Sequence, residues 1–262
     1  MQTTENSGDR DADFDGGSGN GMRNRMRNRT RDLTAVAFCL VFPTIVTLAY
    51  FVWFADRAEA LKQAFSIGKV LQFGFPVVFA WFFARHKIGW PAKSKDGVVA
   101  GVVFGAVIAA ATLALYHYWL KPSGVMGGAV EQIQKKVAGF GIHSAVAYLG
   151  LGVFYSVAHS WLEEYYWRWF VFGLLIQWDN RTVAIVVSSL GFMAHHVIVL
   201  GVFFGWDNWL TYFLSVSVAV GGAVWAWLYD RSGSLVGAWL SHALIDAGIF
   251  LVGYDIVKVT FG

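Results

Sequence analysis

Residues 145–177 read AVAYLGLGVFYSVAHSWLEEYYWRWFVFGLLIQ. As a straight helix at about 1.5 Å per residue this run would extend to roughly 50 Å. A bilayer core is only about 30 Å thick. The helix must therefore tilt, kink or project from the membrane. Its interior holds Glu163, Glu164 and Arg168, three charges that cannot be placed at a membrane surface.

Six further apolar stretches surround it, at 33–54, 67–84, 98–119, 182–202, 209–228 and 234–252. Each approaches the roughly 20 residues that a spanning helix requires. The fold class is therefore all-α, a polytopic membrane protein of about seven transmembrane helices. Composition agrees. Hydrophobic residues make up 56% of the 262 and charged residues 14%, with mean hydropathy +0.51. Of the 37 charges, 12 lie in the first 32 residues. The rest of the chain has too little charge to coat a water-soluble surface. A soluble enzyme, a disordered regulator and a disulfide-rich secreted domain are excluded. The single cysteine, Cys39, permits no intrachain disulfide.

Residues 1–32 read as a disordered, Arg-rich cytoplasmic arm. They are rich in Gly, Asn and Asp and end in arginines at 23, 25, 27, 29 and 31. Those arginines abut the first apolar stretch, which favours a topology anchor over a nucleic-acid arm. With the N-terminus inside, cytoplasmic segments carry 12 Lys and Arg and outer segments carry 7, so the orientation reads N-in and C-out. Residues 33–142 form N-terminal membrane helices and an interfacial segment, and 143–254 a core that carries the intramembrane charges. Gly97, Gly101 and Gly105, spaced by four, permit close helix contact. Residues 125–140 read equally well as an amphipathic interfacial helix or an ordered loop. No internal repeat encourages an inverted-repeat transporter.

Ionisable groups inside a membrane are costly, so they read as functional or as a polar clamp. Glu164 and Arg168 are four apart on a helix and can neutralise each other. Glu163 points about 100° away and has no cation at i+4; its helix-face neighbour is His159. It is the candidate general base. In Phe192-Met-Ala-His195-His196 the two histidines point to different faces, so at most one faces Glu163. Asp246 lies four residues beyond His242 and shares its face. His86, His117 and His143 lie near stretch ends and receive no role. Counted from the cytoplasmic ends of their stretches, Glu163, His196, Asp246 and His242 are roughly 21, 21, 20 and 14 Å deep at 1.5 Å per residue. Three helices thus bring these groups to similar depth.

Glu163-Glu164-x-x-x-Arg168, Phe192-x-x-x-His196 and His242-x-x-x-Asp246 resemble the EExxxR, FxxxH and HxxxN/D motifs of the CPBP family. That family is named for CAAX proteases and bacteriocin-processing proteins. Tyr229–His242 also resembles the family's short turn between its last two core helices. The likeness covers about residues 145–250. Two positions depart from the common pattern: Trp169 stands where Gly often follows the arginine, and Asp246 where Asn is common.

The resemblance implies an intramembrane endopeptidase. In it Glu163 and His196 activate water, and His242 with residue 246 stabilises the oxyanion. An ionised Asp246 cannot donate to an oxyanion, so an adapted role is expected: it accepts from His242 and favours the imidazolium, or, alternatively, burial keeps it protonated. Glu164 and Arg168 are then a structural ion pair. No cofactor is expected. The rival enzyme is a zinc protease, since Glu163, His196, His242 and Asp246 are acceptable ligands by type, although no H-E-x-x-H pair is present. The rival from another class is a non-catalytic immunity or scaffold protein. The expected partners are a membrane-associated peptide or protein substrate and the lipid bilayer, with no nucleic acid. The expected location is a bacterial inner membrane.

Overall fold

A computed structural model describes residues 16–53, 58–84 and 95–261. Its helices are α1 (Gly21–Trp53), α2 (Ser66–Phe83), α3 (Val98–Ser123), α4 (Gly127–Gly139), α5 (Ala145–Leu175), α6 (Arg181–Phe204), α7 (Trp209–Ser232) and α8 (Val236–Thr260). All but α4 are long and apolar enough to cross a bilayer, and they coincide with the seven apolar stretches. The chain is a polytopic all-α membrane protein. Only 17% to 39% of each spanning window is buried within the protein. The remaining apolar surface, such as Val99, Val103 and Val107 on α3 and Val216 and Val220 on α7, is left for lipid to cover. Helices satisfy their own backbone groups, which a bilayer interior demands.

Polar residues at the turns set the helix ends. Ser144, Asn180 and Asn208 accept from the first-turn N–H groups of Ala147, Val183 and Leu210, capping α5, α6 and α7. Gly233, at φ 63°, ends α7 and donates to the Tyr229 carbonyl at 2.8 Å. Its left-handed conformation suits glycine and turns the chain directly into α8.

The expected close approach of the α3 glycines is present, and its partner is α8. A Cβ on Gly101 would strike the Gly237 carbonyl, and one on Gly105 would lie 2.7 Å from the Ser241 carbonyl. Backbone therefore packs on backbone directly beside His242. Around α5, two apolar clusters form. One surrounds the fully buried run Tyr166–Phe172 with residues of α1, α2, α6, α7 and α8. The other joins Tyr116, Leu120, Tyr148, Leu210, Ile256 and Val257 at the opposite end of the bundle.

One expectation changes and one open alternative is resolved. The arm reads as disordered through residue 32, but the helix leading into α1 begins at Gly16. Once a membrane span has nucleated a helix, extending it back through the Arg and Met residues of 22–31 costs little. Asp32 is fully buried there. It accepts from Arg31 at 2.8 Å and from the Trp178 indole at 3.1 Å, tying α1 to the turn after α5. Residues 1–15 of the arm, with Arg10, Arg57, Arg85, His86, Lys87 and Lys93, lie outside the described residues. The segment 125–140 is helical as α4. Its apolar face packs on the second cluster through Val130, Ile133 and Val137. Lys136 lies over the rings of Tyr50 and Phe51 at 4.1 and 4.7 Å. That cation–π contact fastens α4 to the end of α1.

Candidate active site

The site forms where α5, α6 and α8 meet. Within α5, Ser160–Glu164 is α-helical and is flanked by π-helical stretches, Phe154–His159 and Tyr165–Phe172. Each wider turn inserts an extra residue and rotates the helix beyond it. Glu163 and Glu164 emerge on different faces, both buried.

Glu164 holds the tighter network. Arg168 Nε lies 3.1 Å from Glu164 Oε2, the expected ion pair. Its geometry is ionic and not aligned as a hydrogen bond. The guanidinium sits over the rings of Phe192 and Trp225 at 4.8 and 5.0 Å. The other carboxylate oxygen, Oε1, accepts from His242 Nδ1 at 2.8 Å. Sequence alone pairs Glu164 with Arg168 only; the tertiary contact adds His242. Trp225 stacks on the His242 ring at 4.1 Å and 16°, and its indole N–H donates to Ser241 at 2.9 Å. The orientation of His242 is thus determined from two sides.

Glu163 is ringed by imidazoles. His242 Nε2 lies 3.7 Å from its Oε2, His159 Nδ1 3.9 Å from Oε2 and His195 Nε2 3.8 Å from Oε1. These separations exceed a direct hydrogen bond. Asp246 Oδ1 is 3.6 Å from His242 Nε2. Asp246, expected to accept from His242, lies within ion-pair distance of that ring but just beyond a hydrogen bond. The hydrogen-bonded acceptor is Glu164, and Asp246 faces the opposite ring nitrogen.

His196 lies beside His195, with ring centroids 4.2 Å apart. Its Nδ1 is hydrogen-bonded to the Phe192 carbonyl at 2.8 Å, which leaves Nε2 free. That bond explains the spacing of Phe192 and His196, since the carbonyl four residues back is the one within reach. Of the adjacent pair, His195 is the ring 3.8 Å from Glu163. Motif spacing does not single it out; the only signal is a second histidine beside the first. Trp167 and Trp225, which support the rings, are likewise invisible as site residues in an aromatic-rich chain. Among the described residues, no three His, Cys, Asp or Glu side chains converge as a ligand set for a metal ion.

Residues 145–248 match the family model for the type II CAAX prenyl endopeptidase, Rce1-like. This region is a CPBP-family domain. No curated protein and no solved structure matches the chain. The CPBP domain contains α5, α6, α7 and the part of α8 that bears His242 and Asp246. Residues 1–144 lie outside it, yet α1, α2 and α3 pack on it. The Rce1-like family is a protease family; the first and third motifs meet in the Glu163–Glu164–His242 network, and the second reaches it through Phe192, which packs on Arg168 and His242.

Proposed function

We propose that this protein is an intramembrane endopeptidase that hydrolyses a peptide bond in a membrane-associated protein or peptide. The observation that supports it most is the division of labour between adjacent carboxylates. Glu164 is engaged by Arg168 and His242, while Glu163 faces three imidazoles at 3.7 to 3.9 Å. A buried carboxylate so placed is equipped to take a proton. A structural clamp does not need it.

In this mechanism Glu163, with the free Nε2 of His196, takes a proton from water as the oxygen attacks the substrate carbonyl. His242 donates through Nε2 to the developing oxyanion, its Nδ1–H held by Glu164. Collapse breaks the C–N bond, and the proton on Glu163 passes to the leaving amine. Asp246 balances and orients His242 from the Nε2 side. No step runs through a metal. The family description makes a prenylated CAAX sequence the first substrate to try. The Lys and Arg distribution favours N-in, C-out topology.

The test compares membrane proteomes from cells carrying wild-type or Glu163→Ala protein. New protein termini are expected with the wild type alone. Identical termini, with both proteins folded and inserted, would overturn the proposal and favour a non-catalytic role.

A further inference from the structure

His159 and His195 belong to none of the three motifs, yet each flanks the Glu163 carboxylate. We propose that His195 is a positioning residue for Glu163. It holds Oε1 so that Oε2 is presented toward His242 and His159 as the basic oxygen. This inference rests on the proposed hydrolytic role of Glu163.

The geometry supports His195 over His159 for this task. His195 is the only one of the three rings that faces Oε1; His159 and His242 both lie toward Oε2. Its ring is parallel to the fully buried Trp167, at 6° and 5.9 Å, and Phe192 packs edge-on at 5.7 Å. Flanked by these two rings, the imidazole has little freedom to rotate. Its Nδ1 is buried and has no hydrogen-bond partner, so the only carboxylate its ring addresses lies at Nε2. With the proton on Nε2, it donates to Oε1 after a small side-chain adjustment of the kind that accompanies substrate binding. A carboxylate otherwise free to rotate about its last bond then exposes one defined oxygen. Positioning of this type acts on the chemical step more than on substrate binding.

The test uses the full chain in lipid nanodiscs and an internally quenched, farnesylated CAAX peptide. His195→Phe, which keeps the aromatic stack but lacks the donor, is expected to lower kcat at least tenfold with KM little changed. His195→Gln, which restores an N–H, is expected to recover part of kcat. A direct readout accompanies them: the imidazole nitrogen resonance of His195, in ¹⁵N-histidine-labelled protein, should move in Glu163→Gln. Wild-type kcat in His195→Phe, or an unmoved resonance, overturns the positioning role and leaves the protease proposal standing. A wild-type protein that cleaves neither the peptide nor any membrane protein, with the resonance still shifting, overturns the protease proposal and keeps the contact.

Discussion

Glu163 and Glu164 are adjacent in the chain and face opposite nitrogens of the same His242 ring, with otherwise different surroundings. About 100° of helix rotation separates them. One is turned to Arg168 and His242, the other to a ring of histidines. Their substitutions should therefore differ. Arg168→Ala leaves Glu164 uncompensated in the interior, which costs about 3–5 kcal/mol, and should appear as lost folded yield. Glu164→Ala with Arg168→Ala should recover part of that yield but not activity, because His242 loses its Nδ1 acceptor. Thermal unfolding and peptide turnover on the same preparations check this. Full activity in the double variant would show that Glu164 does not orient His242. Asp246 stands apart, 3.6 Å from His242 Nε2. Asp246→Asn keeps a polar group facing that nitrogen and should retain measurable turnover, whereas Asp246→Ala should lose nearly all of it. Equal activity in the Ala variant and wild type would make Asp246 a bystander. The motif pairs Glu164–Arg168 and His242–Asp246 are legible because i, i+4 spacing brings side chains together within one helix. The bond between Glu164 and His242 is not, since 78 residues separate the partners.

At the scale of the helix, α3 braces the helix that carries His242. Gly105 lies against the Ser241 backbone, one residue from His242. Gly105→Leu must push α3 and α8 apart, and overpacking of this kind destabilises by about 1–3 kcal/mol or more. A lowered Tm and reduced turnover are expected. Gly150→Ala on α5, where an added Cβ meets nothing within 4 Å, is the control and should not lower the Tm. If both variants melt like the wild type, the α3–α8 contact does not bear on the site. Spacing by four makes the glycine stripe visible in sequence, but nothing there names α8 as its partner. The same limit applies to α4. Its 3.6-residue pattern of Val130, Ile133 and Val137 is readable, while the choice between lipid and protein as the surface it covers belongs to the packing.

Over the whole molecule, the polar site sits within a bundle whose exterior is apolar. Its proposed chemistry needs only side chains of the chain and water. EDTA and 1,10-phenanthroline should therefore leave turnover of the CAAX peptide unchanged. A loss that zinc restores would overturn metal-independent hydrolysis. The sequence by itself determines seven spans, their approximate ends, and the few ionisable residues confined within them. It does so because a bilayer rejects unsatisfied backbone and unpaired charge, so hydropathy reports directly on architecture. Tertiary structure alone decided that His195 is the ring beside Oε1 of Glu163 and that Glu164 holds His242. Those outcomes depend on how each helix is rotated against its neighbours. Rotation is set by close packing among side chains distant in the chain, which no local pattern records.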